Sequence, residues 1–440
     1  MKKLLTGAGA AALLSLVPLA HADSFAINEY SASDLGRANA GRVVQTEDAS
    51  AAFGNPALMT AFDRHQASLS VSGIFGESNF EDRGSQDVLG APLGGDTSGF
   101  LQDAAVPAAH GIFVINDRWR AGLSVTAPFG LATEYEPDWP GRYQAIESDL
   151  QAININPSLA FAVTDTFSVG AGLNAQYVDA KLTSAIDFGS VCFARLGPAN
   201  CAGLGLTPQS ADGLSSIEGD DWSYGWNAGL TWTPDPTVRV GLHYRSKMEH
   251  DLEGDADFTV PAQAQPLTMT GAFVDTPGRA GLNLPGSTEL GVSWQATDRL
   301  TIYGDAIWTE WSNLEELRVD FDNPVQPDAV EELNYQDAGR YAIGADYQLN
   351  DAFVIRAGYA ADETPVQEDF RSARIPDNDR QIFALGGSWN ATDAWTVDAA
   401  YNRVEIDDTS FDQVGSYGER VLGEYTGGAD ILSVGLSRKF

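Results

Sequence analysis

Several stretches of the chain alternate apolar and polar residues with a period of two. In one, Phe167, Val169, Ala171, Leu173, Ala175 and Tyr177 interleave with Ser168, Gly170, Gly172, Asn174 and Gln176. In another, Trp395, Val397, Ala399 and Tyr401 oppose Thr396, Asp398 and Asn402. In a third, Tyr341, Ile343, Ala345 and Tyr347 oppose Gly344 and Asp346. Period two predicts strands, each with one greasy and one wet face. Past the N-terminal segment no apolar run reaches the roughly 18 residues that a membrane helix needs. The pattern leaves a soluble all-β protein or a membrane barrel.

Short turns sharing one design separate these stretches: Asn116-Asp117-Arg118, Thr164-Asp165-Thr166, Pro234-Asp235-Pro236, Thr297-Asp298-Arg299, Asn350-Asp351-Ala352 and Thr392-Asp393-Ala394. Aspartate suits such a turn because its side chain can bond nearby backbone amides. Two residues after it come Trp119, Phe167, Leu300, Phe353 and Trp395, and four before it come Phe113, Phe161, Trp294, Tyr347 and Trp389. The Asp235 turn is one residue out of step, with Trp232 three before and Val238 three after. Equal parity puts these aromatics on one face near the closed end of each hairpin. A ring of aromatics at one height is the interfacial girdle of a transmembrane barrel, and a soluble sandwich has no reason to build one.

Six turns at one end imply seven hairpins, hence a 14-stranded antiparallel transmembrane β-barrel, all-β, with both chain ends in the periplasm. The two widest gaps between turn aspartates, Asp165 to Asp235 and Asp235 to Asp298, place the longest outer loops at about residues 189–215 and 260–283. The last strand is expected over 430–440, ending on Phe440. The barrel occupies 64–440. Residues 23–63 do not alternate, and a barrel this wide needs its lumen filled, so they are expected to form an N-terminal hatch.

Composition refines this picture. Lysine and arginine total 26 against 61 aspartates and glutamates, a net charge of −35. Such a surface repels nucleic acid and reads as a solvated acidic exterior. Residues 1–22 form a signal peptide: basic Lys2 and Lys3, an apolar centre from Ala10 to Val17, and the cleavage site Ala20-His21-Ala22. Export favours a local disulfide between the two cysteines, Cys192 and Cys201, over free thiols or a metal pair lacking nearby histidines. His65, His110, His243 and His250 stand in no spacing that suggests a triad or a metal site, so neither enzyme activity nor a cofactor is expected. The acidic run Glu253-Gly254-Asp255-Ala256-Asp257 lacks a calcium-loop pattern and reads as solvated loop.

The N-terminal segment is more specific. Phe25-Ala26-Ile27-Asn28-Glu29-Tyr30-Ser31, Leu35-Gly36-Arg37-Ala38 and Asn55-Pro56-Ala57-Leu58 strongly resemble the start of the FadL-type long-chain fatty acid transporters. The resemblance continues through Gly130-Leu131-Ala132-Thr133-Glu134-Tyr135, Trp226-Asn227-Ala228-Gly229, Tyr244-Arg245-Ser246, Trp311-Ser312 and Ile375-Pro376-Asp377-Asn378-Asp379-Arg380. It implies a hatch inside a 14-stranded barrel, substrate capture between long outer loops, an apolar pocket, and sideways exit into the outer leaflet at a kink in the third strand. By the same resemblance Asn55, Pro56 and Ala57 lie beside that opening, Gly130 marks the kink, and Phe25 borders the pocket. The partners implied are a hydrophobic small molecule, outer-membrane lipid and lipopolysaccharide, around a monomer.

One departure touches the substrate. The two basic positions that hold a carboxylate in the best-known fatty acid transporter fall here on Ser184 and within Glu331-Glu332-Leu333-Asn334. Lys181, Arg245 and Arg318 are the possible replacements. Passive uptake of long-chain fatty acid is therefore the leading expectation and neutral hydrocarbon the second. A general porin or a barrel lipid hydrolase stands further back.

Overall fold

A computed structural model describes residues 24–440, and the expected signal peptide lies outside them. Fourteen antiparallel strands close into a barrel. In chain order they are β1 (Gln66–Asp82), β2 (Ala104–Val114), β3 (Trp119–Thr126 and Gly130–Glu134), β4 (Glu147–Ala162), β5 (Phe167–Asp187), β6 (Asp212–Asp235) and β7 (Val238–Arg245 and Met248–Thr259). There follow β8 (Thr276–Leu284 and Ser287–Gln295), β9 (Leu300–Thr309 and Glu316–Phe321), β10 (Ala329–Glu332 and Ala338–Asn350), β11 (Phe353–Asp362), β12 (Arg380–Asn390), β13 (Trp395–Val414) and β14 (Arg420–Lys439). Closure runs the whole length of β1 against β14, from Gln66 opposite Lys439 to Asp82 opposite Gly423. Among the described residues this seam leaves neither terminal strand with an open edge, as a membrane requires.

The inner turns form where expected, but the aspartate is not what fastens most of them. The preceding residue is. Asn116 Oδ1 accepts from the Arg118 and Trp119 amides (3.0 and 3.1 Å), and Asn350 Oδ1 from those of Ala352 and Phe353 (2.9 and 3.1 Å). Thr297 and Thr392 do the same through Oγ1, and Thr164 Oγ1 accepts from the Thr166 amide. At the sixth turn Asp235 itself accepts, from the Thr237 amide at 2.9 Å. Counted from the accepting residue, all six turns share one register, with the flanking positions three before and three after. The Asp235 turn is not out of step; it lacks the extra residue ahead of its aspartate.

The aromatics beside these turns meet across neighbouring hairpins. Trp119 lies opposite Phe161 with rings 4.8 Å apart, Phe167 opposite Trp232, and Phe353 opposite Trp389. Ten residues up from Phe167 and Trp232, the rise expected across an outer-membrane core, Tyr177 meets Trp222 at 5.4 Å and marks an upper ring. Trp226 against Tyr244 and Tyr359 against Phe383 stand six residues above the turn-side positions of their strands. Between the rings the lipid face carries residues such as Leu173 and Leu242, and the lumen face carries Asn154, Asn174 and Asn227.

Above the upper ring several strands continue into the outer loops. For this reason β14 starts at Arg420 rather than at 430, and β8 begins at Thr276, inside the expected fourth loop. Alternation fades there because neither face meets lipid, which hid these extensions from the sequence pattern. The third loop holds two helices, α1 (Phe188–Leu196) and α2 (Pro198–Gly203), joined by the Cys192–Cys201 disulfide with Cα atoms 5.8 Å apart. It packs Phe188, Val191 and Leu206 against Ala264 and Leu267 of the fourth loop. An aromatic cap of Phe80, Phe100, Tyr135, Trp139, Phe411 and Tyr425 closes the outer end near β1, β3 and β14, with Tyr135 stacked on Trp139 at 3.9 Å.

The N-terminal residues fold inside the lumen as short helical turns over Ala32–Leu35 and Ala51–Gly54 and a 3-10 helix over Pro56–Ala61. Ion pairs tie them to the wall. The buried Arg37 guanidinium pairs with Asp34 (2.8 Å), Glu47 (2.8 Å) and Asp346 of β10 (2.7 Å). Glu47 also pairs with Arg356 of β11, and Arg42 with Glu289 of β8 (2.7 Å).

Candidate functional site

Pro128 has no N–H to give a sheet ladder, and β3 breaks around it. The ladder between β2 and β3 ends at Ala109 opposite Val125 and resumes only where Gln102 N–H donates to Ala132 O (3.0 Å). Between these points Ala104–Ala108 pair with β1 alone, which leaves a gap in the wall. Its height follows from β4. Thr126 pairs with Asn154 and Gly130 with Gln151, and Ile153 between them pairs with Tyr177 of the upper ring. The break therefore lies at the height of the upper aromatics.

The start of the hatch satisfies the bent strand. Ile27 N–H donates to Pro128 O (2.9 Å) and Gly130 N–H to Phe25 O (3.0 Å). A Cβ at Gly130 would come 2.6 Å from Ile27 Cδ1, so glycine there leaves room for the end of the Ile27 side chain. The same contact brings Phe25 onto Trp311 (ring centroids 4.9 Å) and Phe129 (6.0 Å). Trp311 is fully buried and points inward because β9 is interrupted by a 3-10 turn at Trp311–Asn313.

Above this aromatic group lies a cavity of about 930 Å³, partly open to the outside. Its walls are apolar: Phe25, Leu131, Leu150, Leu182, Ile217, Leu252, Leu282, Leu314, Leu317 and Leu333 all face it. At its rim Arg374, from the loop between β11 and β12, donates to Glu331 Oε2 (3.2 Å), Ser148 Oγ (3.1 Å) and Thr183 O (3.3 Å). Ile375 beside it lines the cavity. This loop therefore reaches across the mouth, tied to β10 on one side and to β4 and β5 on the other.

The structure sorts the residues expected from sequence. Phe25 and Gly130 meet at the break in β3. Asn55, Pro56 and Ala57 lie elsewhere, against β5, β6 and β7. Asn55 Nδ2 donates to Leu230 O (3.1 Å) and Val43 O (3.1 Å), and its Oδ1 caps the 3-10 helix at Ala57 N–H. A Cβ at Gly229 would come 2.0 Å from Asn55 Oδ1, so this motif seats the hatch on the wall rather than bordering the gap.

Of the three candidate carboxylate contacts, Lys181 alternates with Ala180 and Leu182, which line the cavity, and it pairs on the outside with Glu147 (2.9 Å). Arg318 alternates with Leu317 and Val319 in the same way and is held outside by Glu316 and Asp328. Arg245 alone of the three points into the lumen, below the apolar cavity. Arg374, a cation at the cavity rim, directly precedes the Ile375-Pro376-Asp377 motif, yet nothing local in the sequence tells that its loop folds over the mouth.

A girdled barrel, an internal plug, an apolar cavity and a wall gap together define an outer-membrane transporter for hydrophobic molecules. The family described as "Outer membrane protein transport protein (OMPP1/FadL/TodX)" matches residues 13–440, and the chain belongs to this family of transporters, which are not enzymes. It is 30% identical over 411 residues to the long-chain fatty acid transport protein of Escherichia coli O6:H1, covering 90% of each chain. The crystal structure of a Pseudomonas aeruginosa FadL homologue superposes with a TM-score of 0.86 at 26% identity, covering 95% of this chain and 100% of that one. The Pseudomonas putida toluene transporter TodX shares the fold at a TM-score of 0.69 and 17% identity, over 94% of this chain and 99% of that one.

Proposed function

We propose that the protein takes up long-chain fatty acids passively, from the outer loops into the apolar cavity and out sideways between β2 and β3. One observation carries the reading: the apolar cavity ends on Phe25, and Phe25 packs on Phe129, which belongs to the break in β3. A hydrocarbon tail gains about 0.8 kcal/mol per methylene on leaving water, so a dry path between loops and leaflet needs no energy source. Arg374 at the rim supplies a cation where a carboxylate would arrive. The second reading, uptake of neutral hydrocarbon, draws support from the same residue, because Glu331 already neutralises Arg374.

The test is uptake of labelled palmitate and of toluene by bacteria lacking their own long-chain transporter. The expected result is palmitate uptake well above empty cells. Its near-complete loss is expected in Ala108→Trp, which fills the gap from β2, and in Gly130→Trp, which crowds Ile27, with both barrels still folded by heat-shifted electrophoretic mobility. Toluene uptake without palmitate uptake overturns the fatty acid in favour of hydrocarbon. Wild-type rates in both tryptophan variants sink the sideways exit. Conductance for small sugars counts against both substrates.

A further inference from the structure

Below the aromatic floor formed by Phe25 and Phe129 lies a second space of about 600 Å³, and its character is opposite. Tyr30, Arg42, His243, Arg245, Ser287 and Glu289 line it. Pro128 and Phe129 also border it, so it reaches the break in β3. Its two arginines differ. Arg42 is neutralised by Glu289 at 2.7 Å and donates to Asn28 Oδ1 at 3.0 Å.

Arg245 has only neutral partners. It donates to Asn174 Oδ1 (2.9 Å) and Phe53 O (3.2 Å), and its guanidinium lies 3.9 Å over the Phe53 ring. No carboxylate of the described residues lies within 4.0 Å of it. Its hydrogen-bonding neighbours on the wall are uncharged amides, Asn154 bonding Asn174 and Asn156 bonding Asn227, while Glu289, the carboxylate that lines the chamber, is taken up by Arg42. A cation drawn out of water without a counter-ion is costly, and an anion bound beside it recovers that cost.

We propose that this chamber is a headgroup site in which Arg245 takes the carboxylate of a long-chain fatty acid while its tail stays in the apolar cavity above. Substrate then passes the Phe25–Phe129 floor head first and stands beside the gap before leaving. The inference rests on the fatty acid reading and adds a compartment to it. It also gives the chain a carboxylate contact on β7, where Ser184 and Glu331 offer none.

The experiment compares palmitate with hexadecanol, equal in tail and different in charge, binding to the full mature chain in lipid nanodiscs. Arg245→Gln removes the cation. Ser287→Glu keeps it but supplies an internal carboxylate, since Ser287 lies opposite Arg245 in the ladder and lines the chamber. Loss of a charge-assisted bond predicts palmitate binding weaker by about tenfold or more in both variants, with hexadecanol unchanged within a factor of about two. Arg245→Lys is expected to keep most of the preference for palmitate. Unchanged palmitate binding in either folded variant overturns the site, as does equal weakening of both ligands. A wild type that binds the two equally also overturns it while leaving uptake of hydrophobic molecules standing. Failure to bind palmitate at all, with toluene still taken up, marks the fatty acid reading itself as the error.

Discussion

Glu419 sits buried at the turn between β13 and β14, with one carboxylate oxygen accepting from Tyr417 N–H (3.0 Å) and the other without a hydrogen-bond partner. Burial pushes its pKa up from 4.5 to about 7. The folded chain thus binds this proton more tightly than the unfolded one. The charged form costs stability above pH 7, and the cost is relieved as pH falls from about 7 towards 4.5, with no further gain below. Glu419→Gln should remove that dependence and raise stability at pH 8 by on the order of 1–3 kcal/mol, with no difference at pH 4. Urea unfolding of both proteins across that range checks it; parallel pH profiles would refute it. Other single residues were legible by simple parity. Lys181 shares its parity with Phe167 to Tyr177, the lipid face of β5, which already placed it outside the lumen. Arg318 follows the break in β9, where parity resets, so its direction was hidden. In five turns the aspartate recurs while the Asn or Thr before it makes the bonds, and the one-residue offset at Asp235 reflects an aspartate that accepts the bond itself.

At the scale of elements, the strands were readable where lipid lies on one side and water on the other, and unreadable beyond. The expected final strand covered the part of β14 below the upper ring and missed the part in the loops, where no lipid enforces alternation. The interruptions of β3 and β9 were also local in cause but not in consequence. Pro128 announces a break, yet only the folded chain shows that residues 25–27 fill the vacated hydrogen bonds and that Trp311 turns inward to meet Phe25. The two aromatic rings make a quantitative claim about depth. Leu173 lies between Phe167 and Tyr177 on β5 and is 67% exposed, so it should face mid-bilayer. Leu173→Arg should cost about 2–4 kcal/mol of barrel stability, while Asp179→Arg, above the upper ring, should cost about 1 kcal/mol or less. Reversible unfolding in lipid vesicles measures both, and equal costs would mean that the rings do not mark the membrane.

For the whole molecule, barrel and hatch are held by different physics. The barrel closes through a continuous ladder between β1 and β14, while the hatch is anchored largely by buried charge. The need for a plug was legible from barrel width and a non-alternating N-terminus. Its fastening was not, because Arg37 and Asp346 lie some three hundred residues apart and become partners only on closure. This division predicts a selective failure. Arg37→Met leaves Asp34 without its cation and leaves Glu47 and Asp346 to share Arg356 alone, and breaking buried pairs of this kind costs about 3–5 kcal/mol. The β1–β14 ladder is untouched, so the barrel should keep its heat-shifted mobility while the hatch loosens. Planar bilayers should then show ion conductance that the wild type lacks, and added protease should cut within residues 24–62. Hydrophobic uptake should fall with it, because Phe25 and Ile27 are held against β3 from the same hatch. A silent, protease-resistant Arg37→Met variant would show that the wall glycines and apolar packing hold the plug without its ion pairs.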